Sequence, residues 1–251
     1  MRLSVLIFIS TFLFCSCGDD SPKKYELEVI AEYPHDVNSY TQGLFFHKGE
    51  MYETTGLRGK STLRKVNMQT GLPLKKLDFD KKYFVEGSVM FDGNLYIMTW
   101  QNRVVFIYDA KTLEYKSTHR YARQGWGLTT DGKQLIASDG TATLYFMDGN
   151  LKLDDKVLVT LNDKPVRWLN ELEYIDGRIW ANVYTSDEIV IINPRTGKVE
   201  GVIDCSGLLP RKLHSDTTDV LNGIAFNPAD GKIYLTGKNW PKMYEVKLEE
   251  L

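Results

Sequence analysis

The chain is poor in the residues that build several common kinds of site. Its 251 residues include only 3 cysteines, Cys15, Cys17 and Cys205, too few for a disulfide framework. The 4 histidines, His35, His47, His119 and His214, show no ligand-like spacing, so a Cys/His zinc site is not expected. An excess of positive charge is also lacking. With 31 Lys and Arg against 33 Asp and Glu the formal charge is −2, which excludes the basic footprint of a nucleic-acid binder. No apolar run after residue 16 approaches the roughly 20 residues of a transmembrane helix. Neither a Ser/His/Asp order nor a phosphate-binding glycine loop stands out. What is present is an ordinary globular mixture, 43% hydrophobic and 25% charged, which excludes a disordered or collagen-like chain.

The first residues carry a different signal. Arg2 precedes an apolar run over residues 3–14, the length of a signal-peptide core and too short for a bilayer span. The segment Phe14-Cys15-Ser16-Cys17-Gly18-Asp19-Asp20 that follows resembles a bacterial lipoprotein lipobox. Residues 1–16 are therefore read as a lipoprotein signal peptide, Cys17 as the lipidated residue and residues 17–24 as a tether. Cleavage before Cys15 and an ordinary secretory signal are the alternatives. The expected location is the bacterial cell envelope, periplasmic or surface-exposed, with the membrane reached through the lipid alone.

Residues 25–251 repeat themselves five times. Asp92-Gly93, Asp131-Gly132, Asp176-Gly177 and Asp230-Gly231, with Lys48-Gly49 in the same context, supply the positive φ angles of a type I′ hairpin turn. Strands rich in aliphatic and aromatic residues lie before and after each turn. The preceding strands open with Gln42-Gly43-Leu44, Glu86-Gly87-Ser88, Trp126-Gly127-Leu128, Asn170-Glu171-Leu172 and Asn222-Gly223-Ile224, at spacings of 44, 40, 44 and 52 residues. Such a period fits four-stranded propeller blades better than a helical solenoid. A third strand is expected in each unit, at residues 62–66, 103–108, 142–147, 188–192 and 242–247, and a fourth after the turns of the first and fourth units. The fifth unit has no room for a fourth strand. Residues 25–33 are therefore predicted to close the ring as its outer strand. The predicted fold is an all-β, five-bladed β-propeller occupying residues 25–251.

The innermost strands of a propeller line its axis, so equivalent positions near their starts converge. Those positions hold Gln42, Glu86, Trp126, Asn170 and Asn222. Convergent amides, a carboxylate and an indole describe a small-molecule pocket. The structural alternative is that these side chains bond the backbone of neighbouring blades, which suits Asn222 best. It suits Glu86 least, because burying a carboxylate without a partner is costly. Glu171 and Glu173 are read as one residue facing each side of a strand. Trp168, Trp180 and Trp240 are read as packing residues and Cys205 as a buried or loop thiol.

Seven motifs in order resemble those of one family. They are Tyr40-Thr41-Gln42-Gly43-Leu44, Glu53-Thr54-Thr55-Gly56-Leu57, Phe84-Val85-Glu86-Gly87, Leu95-Tyr96-Ile97-Met98-Thr99-Trp100, Gly125-Trp126-Gly127-Leu128-Thr129, Leu169-Asn170-Glu171-Leu172-Glu173 and Thr236-Gly237-Lys238-Asn239-Trp240. Between residues 36 and 248 the chain resembles the plant and bacterial type of glutaminyl-peptide cyclotransferase. The resemblance implies a five-bladed propeller that converts the N-terminal glutamine of peptides or proteins to pyroglutamate and releases ammonia. It implies Glu86 as general acid/base, with Gln42, Asn170 and Lys238 around the γ-amide and oxyanion and Trp100 and Trp126 walling the pocket. Where family members usually carry Trp this chain has Tyr184, and Val85 replaces a small residue. No cofactor is expected for catalysis, a structural calcium ion on the propeller axis is implied, and a monomer is expected.

Two other classes remain open at this level. A propeller can be a protein-binding platform without chemistry, which leaves Glu86 unexplained. It can also be a metal-dependent hydrolase or lactonase, which needs several carboxylate or amide ligands around one ion.

Overall fold

The computed structural model describes residues 21–251. The apolar run, both candidate lipidation cysteines and the first part of the tether lie outside the described residues.

Among the described residues, twenty-two strands and a single 3-10 turn at Arg211–Leu213 make up the regular structure. Strand β1 spans Lys23–Pro34. The first unit comprises β2 (Thr41–His47), β3 (Glu50–Thr55), β4 (Thr62–Val66) and β5 (Pro73–Asp78). The second comprises β6 (Val85–Phe91), β7 (Asn94–Thr99), β8 (Val104–Asp109) and β9 (Tyr115–Arg120). The third comprises β10 (Leu128–Thr130), β11 (Leu135–Ala137), β12 (Thr143–Met147) and β13 (Leu153–Leu158). A two-residue hairpin, β14 (Thr160–Leu161) and β15 (Lys164–Pro165), precedes the fourth unit of β16 (Leu169–Ile175), β17 (Arg178–Val183), β18 (Glu188–Ile192) and β19 (Val199–Asp204). The last strands are β20 (Leu221–Asn227), β21 (Lys232–Gly237) and β22 (Lys242–Glu250).

Each unit pairs antiparallel in chain order, and β1 supplies what the fifth lacks. It runs antiparallel to β22 from Tyr25 opposite Glu250 to Pro34 opposite Lys242. The edge that β22 would otherwise expose is thereby covered, as the strand count required. On its other side β1 makes a short parallel pairing with β19, Lys23 to Tyr25 against Gly201 to Ile203. This pairing joins the fourth and fifth units into one eight-stranded sheet. Inner strands β2, β6, β10, β16 and β20 touch one another in turn and close a ring. That is the strand arrangement of a β-propeller.

Burial follows from this geometry. Residues of the inner three strands are mostly buried, whereas β5, β9 and β13 face solvent. The apolar core is divided into clusters between successive units. One packs Leu44, Met51 and Val66 of the first unit against Ala225, Tyr234 and Met243 of the fifth. Another packs Phe45 and Leu63 against Leu95 and Ile97 of the second. Sheets that bury both faces against neighbours hold their inner strands rigidly.

Three details differ from the sequence reading. Fourth strands are present in the second and third units as well, as β9 and β13. The two-residue turn with positive φ at both positions occurs at Lys48-Gly49, Asp92-Gly93 and Asp176-Gly177. At Asp131-Gly132 and Asp230-Gly231 only the glycine has positive φ. There the loops are longer, and Asp131 Oδ1 instead accepts the N–H groups of Lys133 and Gln134 at 2.8 and 2.9 Å, an aspartate-stabilised turn. Finally, Glu171 and Glu173 share one face. Glu171 Oε1 and Oε2 accept the N–H groups of Leu44 and Ile224 at 3.2 and 2.9 Å. Glu173 accepts from Phe226 N–H at 3.0 Å and Thr129 Oγ1 at 3.2 Å. Side chains two apart on a strand do share a face. Burial and the neighbouring Glu173 push the Glu171 pKa well up, so protonation relieves the repulsion that argued against the arrangement. The two carboxyl groups fasten β16 to strands on other parts of the ring.

Candidate active site

The ring residues sit where the inner strands begin, and one backbone bond recurs beside them. In four units the carbonyl two residues ahead of the ring position accepts an N–H from the loop after the second strand. The pairs are Gly56 to Tyr40 at 2.8 Å, Trp100 to Phe84 at 3.0 Å, Tyr184 to Trp168 at 2.8 Å and Lys238 to Val220 at 2.9 Å. Each bond carries two side-chain positions to the same end of the ring. Where one of the pair is glycine, as at Gly56, the Phe84 ring of the next unit fills the room, and Trp126 packs in the same way against Gly140.

These positions enclose a cavity of about 210 Å³ lined by Tyr40, Gln42, Phe84, Glu86, Trp100, Trp126, Asn170, Tyr184 and Lys238. Two aromatic walls face its interior. On one side Phe84 meets Tyr40 edge-on at 6.3 Å and Trp100 at 5.5 Å between ring centroids. On the other Trp126 meets Tyr184 edge-on at 5.7 Å.

Glu86 is 4% exposed, and among the described residues no hydrogen bond reaches its carboxyl group. Burial pushes its pKa well above the ordinary carboxylate value, against the pull of the Lys238 charge. Lys238 is itself 3% exposed. Its Nζ lies 4.9 Å from the centre of the Tyr40 ring and 4.8 Å from that of Tyr184, so two π faces receive the ammonium in place of water. Burial lowers its pKa while Glu86 and Asp219 oppose the shift. The Tyr40 hydroxyl donates to Asp219 Oδ2 at 2.8 Å, which fixes that ring.

The three amides divide their work. Asn222 Nδ2 donates to the Thr41 carbonyl at 2.9 Å and to Gln42 Oε1 at 3.2 Å, the structural role expected for it. Gln42 thus has its oxygen engaged, and its Nε2 has no protein partner among the described residues. Asn170 is buried, and its Oδ1 finds no partner there either. An amide N–H without a protein partner at a cavity is free to meet a ligand, whereas a buried amide oxygen without one is costly.

Comparison with known proteins is decisive here. A family model described as glutamine cyclotransferase matches residues 3–248. The chain is 41% identical, over 99% of its length and 81% of the relative's, to a protein of Arabidopsis thaliana named glutaminyl-peptide cyclotransferase. The crystal structure of Myxococcus xanthus glutaminyl cyclase superposes with a TM-score of 0.85 at 36% identity, covering 92% of this chain and all of that one. The chain belongs to the glutamine cyclotransferase family.

All seven residues that family resemblance assigned to the catalytic and substrate-binding site, Gln42, Glu86, Trp100, Trp126, Asn170, Tyr184 and Lys238, line the one cavity. Tyr184, at the position where the family resemblance implied Trp, gives the cavity an aromatic surface. Tyr40 and Phe84 were not singled out from the sequence. The signal was available, since both stand two residues before a ring position. Trp180 and Trp240 are buried as packing residues, and Cys205 is a buried free thiol. Trp168 departs from expectation: it is 54% exposed. Among the described residues no group of three or more His, Cys, Asp or Glu is placed to hold a metal ion.

Proposed function

We propose that this protein converts the N-terminal glutamine of peptides or proteins to pyroglutamate, with Glu86 as its general acid/base. One observation carries the reading. Among the described residues Glu86 is the only carboxylate lining the cavity, and burial raises its pKa toward the range in which a group can both take and return a proton.

The glutamine side chain enters between the aromatic walls, and its α-amine nitrogen attacks the γ-amide carbon. The Glu86 carboxylate removes a proton from that nitrogen as the new C–N bond forms. Gln42 Nε2 and the Lys238 ammonium are the donors available to the oxyanion, and the Asn170 side-chain amide is the further polar group beside the substrate amide. Protonated Glu86 then gives its proton to the departing nitrogen, the original C–N bond breaks, ammonia leaves and the carboxylate is restored. The bond changes and the proton balance close on one side chain, so the scheme uses no catalytic metal. An axial calcium ion would have a structural role. The buried Asn222 Oδ1 lacks a partner among the described residues, and inner-strand carbonyls would have to supply the further oxygens.

Incubation with Gln-initiated peptides should release ammonia and give products lighter by ammonia. Turnover should survive a chelator. A folded protein that leaves such peptides unchanged refutes the activity, and loss restored by added zinc refutes the metal-free scheme. We place the protein on the cell envelope through Cys17. Mass spectrometry of the mature N-terminus tests this, with an unlipidated terminus counting against it.

A further inference from the structure

Resting on the cyclotransferase reading, we propose that Trp168 is the platform for the side chain of the second residue of the peptide, selecting an aromatic or large apolar side chain there. The position is the fourth unit's counterpart of Tyr40 and Phe84, which line the cavity. Its backbone is held in the same way. The Trp168 carbonyl accepts from Tyr184 N–H at 2.8 Å, and its own N–H donates to the Gly140 carbonyl at 3.0 Å. Unlike those two residues it has φ 67°, a left-handed conformation that costs energy for a bulky side chain and recurs at functional sites. The result is a large indole left 54% exposed.

Its location gives that exposure a use. The Trp168 ring lies 6.2 Å from Trp126 with 38° between planes, and Trp126 is a wall of the cavity. Trp168 therefore continues the aromatic wall from the cavity out to solvent. At about 210 Å³ the cavity is smaller than the roughly 300–1,000 Å³ of sites that enclose a whole drug-sized ligand. It takes the glutamine and leaves the second residue at the rim. An exposed indole next to the buried wall offers that residue a face on which to stack. Backbone bonds hold both tryptophans in place just ahead of β10 and β16, and their rings already lie against each other, so the surface exists before the peptide arrives.

The test compares kcat/KM for Gln-Phe amide and Gln-Gly amide. The native protein should favour Gln-Phe by about two- to tenfold, the range an aromatic pair supplies. Trp168→Ala should bring the ratio close to one, and Trp168→Phe should retain part of the preference. Thermal melting of each variant reports that the fold is kept. No preference in the native protein, or the same ratio in folded Trp168→Ala, overturns the proposal. If neither peptide is cyclised, the cyclotransferase reading itself falls. Calorimetric affinities of the two uncyclised amides then decide Trp168 separately: tighter Gln-Phe binding lost in Trp168→Ala supports the platform, and equal affinities overturn it.

Discussion

His35 Nε2 lies 3.0 Å from Glu53 Oε1, and its Nδ1 lies 2.7 Å from the Trp240 carbonyl, with both side chains almost fully buried. Each ring nitrogen thus faces an oxygen acceptor, an arrangement that favours the doubly protonated imidazolium. Burial works against the charge on His35, but the charge and hydrogen bond of Glu53 outweigh it and raise the pKa. Glu53 also accepts from Ser39 Oγ at 3.0 Å and Thr41 Oγ1 at 2.7 Å. The pair therefore ties the segment leading into Gln42 to the loop that carries Lys238. His35→Ala should destabilise the protein by roughly 3–5 kcal/mol, because the buried Glu53 carboxylate loses its ion-pair partner and keeps only two hydroxyl donors and the charge of Arg64. His35→Leu with Glu53→Leu should cost less than the single change. Urea melts of the three proteins check this. The pair contributes most between about pH 4.5 and 6.5, the ordinary values of its two groups, since the Glu53 pKa is lowered and the His35 pKa raised on folding.

Glu86→Gln preserves shape but cannot relay a proton. Its kcat should fall by roughly 10²–10⁴. Stability should not fall, because a buried carboxyl group without a hydrogen-bond partner is exchanged for a neutral amide. Turnover within threefold of native in a folded variant would mean that another base serves. Glu86→Asp should keep a small residual activity.

The pH profile should have two limbs. On the acid side kcat/KM rises as Glu86 loses its proton from a raised pKa and as the substrate α-amine, with a pKa of about 7.7–8.0, becomes neutral. The alkaline limb reports Lys238, whose pKa burial lowers from 10.5. Lys238→Arg should move that limb to higher pH, since guanidinium does not deprotonate in this range. An unmoved alkaline limb would remove Lys238 from the profile.

Glu173 gives stability a dependence of the opposite kind. Burial raises its pKa from 4.5 to about 8, despite the Phe226 N–H and Thr129 hydroxyl that favour the carboxylate. Between those values the folded protein keeps a proton that the unfolded chain releases. Stability should therefore fall as pH rises from about 4.5 to 8, with Glu171 and Glu86 acting in the same direction. Glu173→Gln should flatten this slope in thermal melts between pH 5 and 8. An identical slope in the variant would locate the proton elsewhere.

The repeat of Gly-anchored strands and hairpin turns determined the ring, because strand period and turn chemistry are local properties of the chain. Counting strands even showed that residues 25–33 had to complete the last unit, since an uncovered edge is unfavourable wherever it lies. The motifs around Gln42, Glu86, Trp126, Asn170 and Lys238 named the polar and aromatic parts of the site. Other features depended on neighbours distant in sequence. Gly56 makes room for the Phe84 ring of the next unit only once the two units meet. Glu171 and Glu173 share a face because amides of other inner strands, and protonation, offset their repulsion. Trp168 stands at a position equivalent to two cavity aromatics, yet its left-handed backbone and exposed indole appear only in the folded chain. Local pattern sets strands and turns, whereas burial, pKa and the facing of side chains are properties of the packed ring and exist only after it closes.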